Sequence, residues 1–474
     1  MKKIFTLLVL CCVSLVMDAQ NTDDDFQTYR RNLLSNYHGF RHSVLEDYKK
    51  FLNGIWEDYE VFAGKKLRTF PKPSVQPQLK DDDPKPIPET IVPKDVIPAN
   101  PIIKEEIPAP NPVVVSPSKQ ISFDWFGVRM SLPDANLSKN LNTLSNEDVI
   151  EYLNILNNSC LEKDVVPQMA NIAYSCNLND WCLYLLIESY VKNIKSHAND
   201  NTRNIICWYL LVQFGYDARL ALNGDHLFFL IPFQQTVYAR SYIEIHNKPY
   251  YIWGDGDIDF QYGFSSPELP GNTGKAINVV ISKPLKIPYQ EKRFSHSFQG
   301  NTLKVDVNEN LVRLMNHFPQ IPIPSYVVSL GDNKARDQLL AQIKQFIKGK
   351  TELEAANFIL QFIQSFDYAT DDEQFGYEKP FFIEETLYYP KCDCEDRSIL
   401  YHYLVTQLLG RDVHLVHYSN HECTAVNFSH KINADSYLYN GKQYVICDPT
   451  YIGATIGMCM PDYRNVKPEI ELVK

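Results

Sequence analysis

Between Phe70 and Ser118 the chain reads FPKPSVQPQLKDDDPKPIPETIVPKDVIPANPIIKEEIPAPNPVVVSPS, with proline recurring every few residues among charged and apolar ones. Proline fixes φ and lacks the backbone donor, so such a run closes off both a helix interior and a central strand. Residues 69–118 are therefore expected to form an extended, polyproline-like spacer that divides the chain into unlike parts.

Ahead of the spacer lie two segments. The start, MKKIFTLLVLCCVSLVMDAQ, sets two lysines before an apolar run from Ile4 to Met17. That run is shorter than the roughly 20 residues a spanning helix needs, and with Ala19 as a cleavage residue it reads as a secretory signal, residues 1–19. An uncleaved anchor is the alternative. The expected location is thus the periplasm or cell envelope, with full secretion as the other outcome, and the membrane is touched only through the signal. Cys11 and Cys12 would leave with it, so of 11 cysteines 11 − 2 = 9 remain. An odd number in an exported protein leaves at least one thiol without an intramolecular partner, although several can be ordinary core residues. Residues 20–68 carry Leu33, Tyr37, Phe40, Val44, Tyr48, Phe51 and Trp56 at helical spacing, a packing face more than a ligand site. A net charge of −11 argues against nucleic acid or an anionic membrane surface as the main partner.

After the spacer the composition becomes globular, and helix-like and strand-like periodicities alternate in two blocks, 119–265 and 331–474. A segment expected to be β-rich, 266–330, joins them through VVISKPLKI and NTLKVDV. The fold class expected is α+β. In the second block, KCDCEDRSILYHYLV opens a helix on which Ile399, Leu400, Tyr403, Leu404 and Leu408 share a face, with Gly410 as its stop. Cys394 falls at the N-terminus of that helix, where backbone N–H groups favour a thiolate, while Asp393, Glu395 and Asp396 oppose it. Two strand-like runs follow, VHLVHY and HECTAVNF, with His421 opening the second. A hairpin, SYLYNGKQYVICDPT, turns at Asn440-Gly441 and ends at Asp448. A thiol at a helix start, an imidazole and a carboxylate in that order are the parts that thiol acyl transfer needs: nucleophile, proton carrier and orienter.

DCED at a helix start, His at a strand start and DPT after a hairpin resemble the transglutaminase-like superfamily of papain-like thiol enzymes. That superfamily's core runs approximately G-D-C-x-D, then H, then D-P-T. The resemblance covers roughly Ser325 to Lys474 and looks particularly like exported transglutaminase-domain proteins of Bacteroidetes. It implies Cys394 as nucleophile, His421 as general base and acid, and Asp448 as the residue orienting His421, with no cofactor and a peptide or protein substrate. Two positions depart from the pattern: Cys392 stands where the family has glycine, and ECTAV follows the histidine. Cys392 could therefore pair with another thiol or modulate Cys394.

Other readings of the same residues remain beside this one. Cys392, Cys394, His414, His417 and His421 could suggest zinc, yet strand alternation sends His414 and His417 to opposite faces and no C-x-x-C pair exists. Cys423 and Cys447 read as core. In the loop Phe366–Pro390, Tyr377, Phe381, Phe382, Tyr388 and Tyr389 could wall a groove beside Cys394 or simply anchor the loop by burial.

The first block repeats the plan of the second. At an offset of 195, Gly215 falls on Gly410, His226 on His421, and Asn199 on Cys394, while NKPYYIWGDGD brings Gly254 or Asp255 near the place of Asp448. An internal duplication accounts for this, and its first copy would lack the nucleophile. The expected function is an exported thiol enzyme that hydrolyses a peptide or amide bond through a thioester. The alternatives are a non-catalytic scaffold of the cell envelope, binding a protein or glycan, and a cross-linking acyltransferase.

Overall fold

The computed structural model of the chain describes residues 119–256, 258 and 274–473, with the backbone of 89–90 and 264–265. The expected signal, 1–19, and helical segment, 20–68, lie outside the described residues, as does the spacer apart from Glu89–Thr90. Those two residues form a short parallel strand, β1, on β8, Phe264–Ser265. β1 sits at a sheet edge, where flanking prolines cost no ladder bonds.

The first lobe opens with a hairpin, β2 (Gln120–Trp125) and β3 (Val128–Pro133), and continues through helices α1 (Asn146–Asn157), α2 (Val166–Ser175), α3 (Asp180–Ile194) and α4 (Asp200–Gln213). A sheet follows, formed by β4 (Arg219–Asn223), β5 (His226–Ile231), β6 (Tyr242–Ile245), β7 (Lys248–Trp253) and β8. Its order is β1-β8-β4-β5-β7-β6.

The connecting segment is less β-rich than expected. Among its described residues only β9 (Glu291–Phe298) and β10 (Asn301–Asn308) form strands, while VVISKPLKI, interrupted by Pro284, runs irregularly. Asn308 then caps α5 (Glu309–Met315) and a proline opens α6 (Ile323–Val328), so local helix starts override the β-like composition.

The second lobe comprises α7 (Asn333–Phe346), α8 (Glu352–Gln364), two single turns α9 (Asp371–Gln374) and α10 (Ile383–Thr386), and α11 (Cys394–Leu409). Its strands are β11 (Asp412–Tyr418), β12 (His421–Asn427), β13 (Ser436–Tyr439), β14 (Lys442–Cys447) and β15 (Glu469–Glu471), in the order β13-β14-β12-β11-β15. Thr351 and Glu354 start α8 as a reciprocal capping box. Gly410 ends α11 at φ 61. Asn440 and Gly441, both at positive φ, make the two-residue turn between β13 and β14.

Both lobes place strands in one spatial order. Read from one edge, β8-β4-β5-β7-β6 matches β15-β11-β12-β14-β13, and each set follows a long helix, α4 or α11. One hydrophobic core runs through both lobes, from Phe123 to Cys447, and receives the inward residues of each sheet, such as Leu227 and Phe229 or Val445 and Cys447. Strand alternation sends Phe228 and Leu230, and likewise Cys423, Ala425 and Ile446, into small clusters on the opposite sheet faces. The fold is mixed helix and strand, compatible with α+β.

Candidate active site

His421 opens β12 opposite Tyr418 of β11, and Asp448 follows β14, which pairs with β12. This geometry brings His421 Nε2 to 2.8 Å from Asp448 Oδ2, with both residues buried. A carboxylate accepts, so Nε2–H is the donor, and in the neutral form of the ring the lone pair lies on Nδ1. Nδ1 is itself buried and has no hydrogen-bond partner. Asp448 is held in turn: its Oδ1 accepts the backbone N–H groups of Thr450 at 2.9 Å and Tyr451 at 3.0 Å. Gln364, at the end of α8, braces the same loop by donating to the carbonyls of Asp448 and Ala454 and accepting from Gly453 N–H.

Cys394 is the first residue of α11 and is 3 % exposed. Its thiol donates to Glu395 Oε2 at 3.2 Å, and no hydrogen bond joins it to His421. Burial, then the charge of Asp393, push the thiol well above its ordinary range, while the backbone N–H of Glu422 and the bond to Glu395 pull the other way. The thiolate expected from the helix start is therefore not the form favoured in this closed arrangement. Burial of the sulfur outweighs the helix end, because a thiolate loses its hydration there, and Asp393 adds to the effect to the extent that it is ionised.

Those acids form a cluster that the sequence does not reveal. Oxygens of Asp371, Glu378, Asp393 and Glu395 lie within 4.8 Å of one another, and Asp371, Asp393 and Glu395 are buried. Asp396 is fixed beside them by the N–H groups of Phe381 and Asp393. Burial raises the carboxyls of Asp393, Glu395 and Asp396 well above the usual range and that of Asp371 to about 7, with mutual repulsion adding to it. Lys379, the near cation, is paired with Glu385. These oxygens are the hard-donor set of the site, of the type that divalent cations prefer.

The zinc set considered from sequence is not assembled. His414 stacks on Tyr444 with centroids 3.8 Å apart, and His417 meets Glu422 Oε2 at 3.1 Å. His421 has instead Cys423 and Asp448 as neighbours, their ligand atoms within 4.8 Å of one another, a nitrogen, sulfur and oxygen set that could hold zinc. Cys423 thus lies closer to the His–Asp pair than the sequence reading as core alone conveys. Cys447 is core.

Tyr463 covers the pair. Its ring stacks on His421 at 5.2 Å and 16° and also lies against Tyr418 at 4.6 Å, and its hydroxyl donates to Asn420 Oδ1 at 2.7 Å. Nothing in the spacing of Gln364 or Tyr463 signals these roles, because both reach the site from far along the chain. The aromatic loop divides. Phe381 and Phe382 are buried packing residues, Tyr377 is 56 % exposed, and Tyr388 and Tyr389 line a cleft of about 480 Å3 that reaches Cys392. Cys392, a free thiol pushed up to about 11 by burial, makes no disulfide with Cys394.

In the first lobe Asn199 caps α4, accepting from Thr202 N–H at 2.9 Å, His226 is exposed, and Asp255 pairs with Arg203 at 3.0 Å. Among the described residues no helix is long and apolar enough to cross a membrane. Comparison with protein-family models, curated proteins and solved structures finds no match to this chain.

Proposed function

We propose that the chain is an exported thiol enzyme of transglutaminase-like type, acting on a peptide or amide bond. Cys394 passes its proton to His421 Nδ1 as the sulfur bonds to the carbonyl carbon. The carbon–nitrogen bond breaks as the amine leaves with that proton, and water resolves the thioester. The observation that carries this reading is the buried His421–Asp448 pair, whose Nδ1 is held without a partner beside the strand that follows the Cys394 helix. Before attack the sulfur must turn from Glu395 to Nδ1. The first lobe is on this reading a duplicated unit without a nucleophile, since Asn199 is occupied as a helix cap. The common strand order of the two sheets supports that relation.

A second reading, a cell-envelope scaffold, is favoured by the closed site and the raised thiol. Alkylation by iodoacetamide, resolved by cysteine through peptide mass spectrometry across pH, separates the two. The enzyme reading expects Cys394 to react faster than Cys423 and the other buried thiols and to lose that advantage in His421→Ala. If Cys394 is as inert as the others, or unaffected by the substitution, the scaffold reading replaces it.

A further inference from the structure

Between the lobes lies a cleft of about 400 Å3. On its first-lobe wall the Arg240 guanidinium stands 4.2 Å from the centroid of Trp253. Trp253 is fixed by the edge of Trp181, 4.9 Å away at 76°. The residue before Arg240, Ala239, has φ 54, a conformation an alanine adopts only at a cost. The backbone is thus bent to present this arginine. No carboxylate pairs with it among the described residues: Glu188, the acid whose charge acts on it, is engaged by Lys192 at 3.2 Å.

Stacking covers one face of a guanidinium and leaves its in-plane N–H groups open. Those groups form a fork that fits a carboxylate in two parallel hydrogen bonds. The facing wall holds Tyr377, an exposed ring with apolar surface to cover, and Glu378. Glu378 also leads to the nucleophile, since its carboxylate is within 4.8 Å of that of Glu395, which accepts the Cys394 thiol at 3.2 Å.

We infer that this cleft docks the substrate chain and that Arg240 selects a carboxylate on it, either an acidic side chain or a free C-terminus. The inference deepens the thiol-enzyme reading and rests on it for the word substrate, but the binding can be measured without turnover.

The test is a tryptophan-fluorescence titration of the full chain carrying Cys394→Ala. Three probes are used: N-acetyl-Ala-Glu-Ala-amide, N-acetyl-Ala-Ala-Ala with a free carboxyl, and N-acetyl-Ala-Gln-Ala-amide. At least one carboxylate peptide should bind about tenfold or more tighter than the glutamine peptide, the scale of a charge-assisted hydrogen bond. Whichever binds tells side chain from C-terminus. Arg240→Ala should erase the preference and Arg240→Lys keep part of it, with thermal unfolding only slightly lowered, because this arginine is exposed apart from its stack on Trp253. Equal binding of all three peptides, no binding at millimolar concentration, or a preference that survives Arg240→Ala overturns the inference. Cys394 alkylation in an otherwise unaltered Arg240→Ala chain keeps the two readings apart: an inert Cys394 sinks the thiol chemistry, and lost selectivity alone sinks only the cleft.

Discussion

Replacing Asp448 by asparagine tests the core of the site with little change of shape. Asp448 accepts three hydrogen bonds, from His421 Nε2 at 2.8 Å and from Thr450 and Tyr451 N–H at 2.9 and 3.0 Å. Asparagine keeps an oxygen for the two backbone donors and turns an amide toward Nε2. That nitrogen must then accept, so the ring proton moves to Nδ1, the atom proposed to take the proton of Cys394. A charge-assisted bond becomes a neutral one, which costs about 1 kcal/mol of stability, whereas Asp448→Ala strands up to three buried donors and costs about 3 kcal/mol or more. Turnover should fall by about 10^4 in Asp448→Asn, the scale seen in kcat when a triad histidine is held in the wrong tautomer, and Cys394 alkylation at neutral pH should fall with it. Urea unfolding measures the first quantity, alkylation kinetics the second, and 15N imidazole shifts report the tautomer. If the asparagine variant folds, shows the proton on Nδ1 and still alkylates at the parent rate, His421 is not the base for Cys394.

Three further outcomes are expected. Tyr463→Ala removes the ring stacked on His421 and should raise Cys394 alkylation by a bulky maleimide roughly tenfold, the value of one aromatic stack, while Tyr463→Phe stays near the parent; equal rates in all three would deny Tyr463 a covering role. Burial, with Glu422 nearby, lifts the Glu471 carboxyl to about 7, so the folded chain binds its proton more tightly than the unfolded one. That contribution is fully present below about pH 4.5 and is lost as pH rises through about 7; Glu471→Gln should reduce the fall in stability between pH 5 and 8 by about 1–2 kcal/mol once solvent exposure is allowed for, and an unchanged slope in pH-dependent urea unfolding refutes it. Arg336 forks onto Glu384 at 2.7 and 3.1 Å with both buried, and a Cβ on Gly331 would overlap that carboxylate. Gly331→Ala should therefore cost about 3–5 kcal/mol, as breaking a buried pair does, and a change under about 1 kcal/mol by urea unfolding would show that the pair simply shifts aside.

Much of the second lobe is legible because its signals act over a few residues. Gly410 beyond α11 and Asn440-Gly441 between two strands each set backbone angles locally, and their elements stand where these signals place them. The stretch 309–328 misled because its apolar content suits either period, and capping by Asn308 and an early proline settled it as helix.

The acids around Cys394 show the limit. In sequence, DCED is a well-formed first helical turn whose carboxylates belong in water. In the fold, the loop Asp371–Phe382 closes over them, and Asp393, Glu395 and Asp396 become buried. The brace from Gln364 to Asp448 spans 84 residues, and the stack of Tyr463 on His421 spans 463 − 421 = 42, gaps that no pattern marks. The sequence by itself determined the start and stop of the Cys394 helix, the turn of the hairpin before Asp448 and the order of Cys394, His421 and Asp448, since hydrogen bonding within a turn and side-chain period are short-range. Only the tertiary structure decided which of those groups meet, which are shut from solvent and which hold their protons, because burial and the fields of distant charges exist only once the chain has closed on itself.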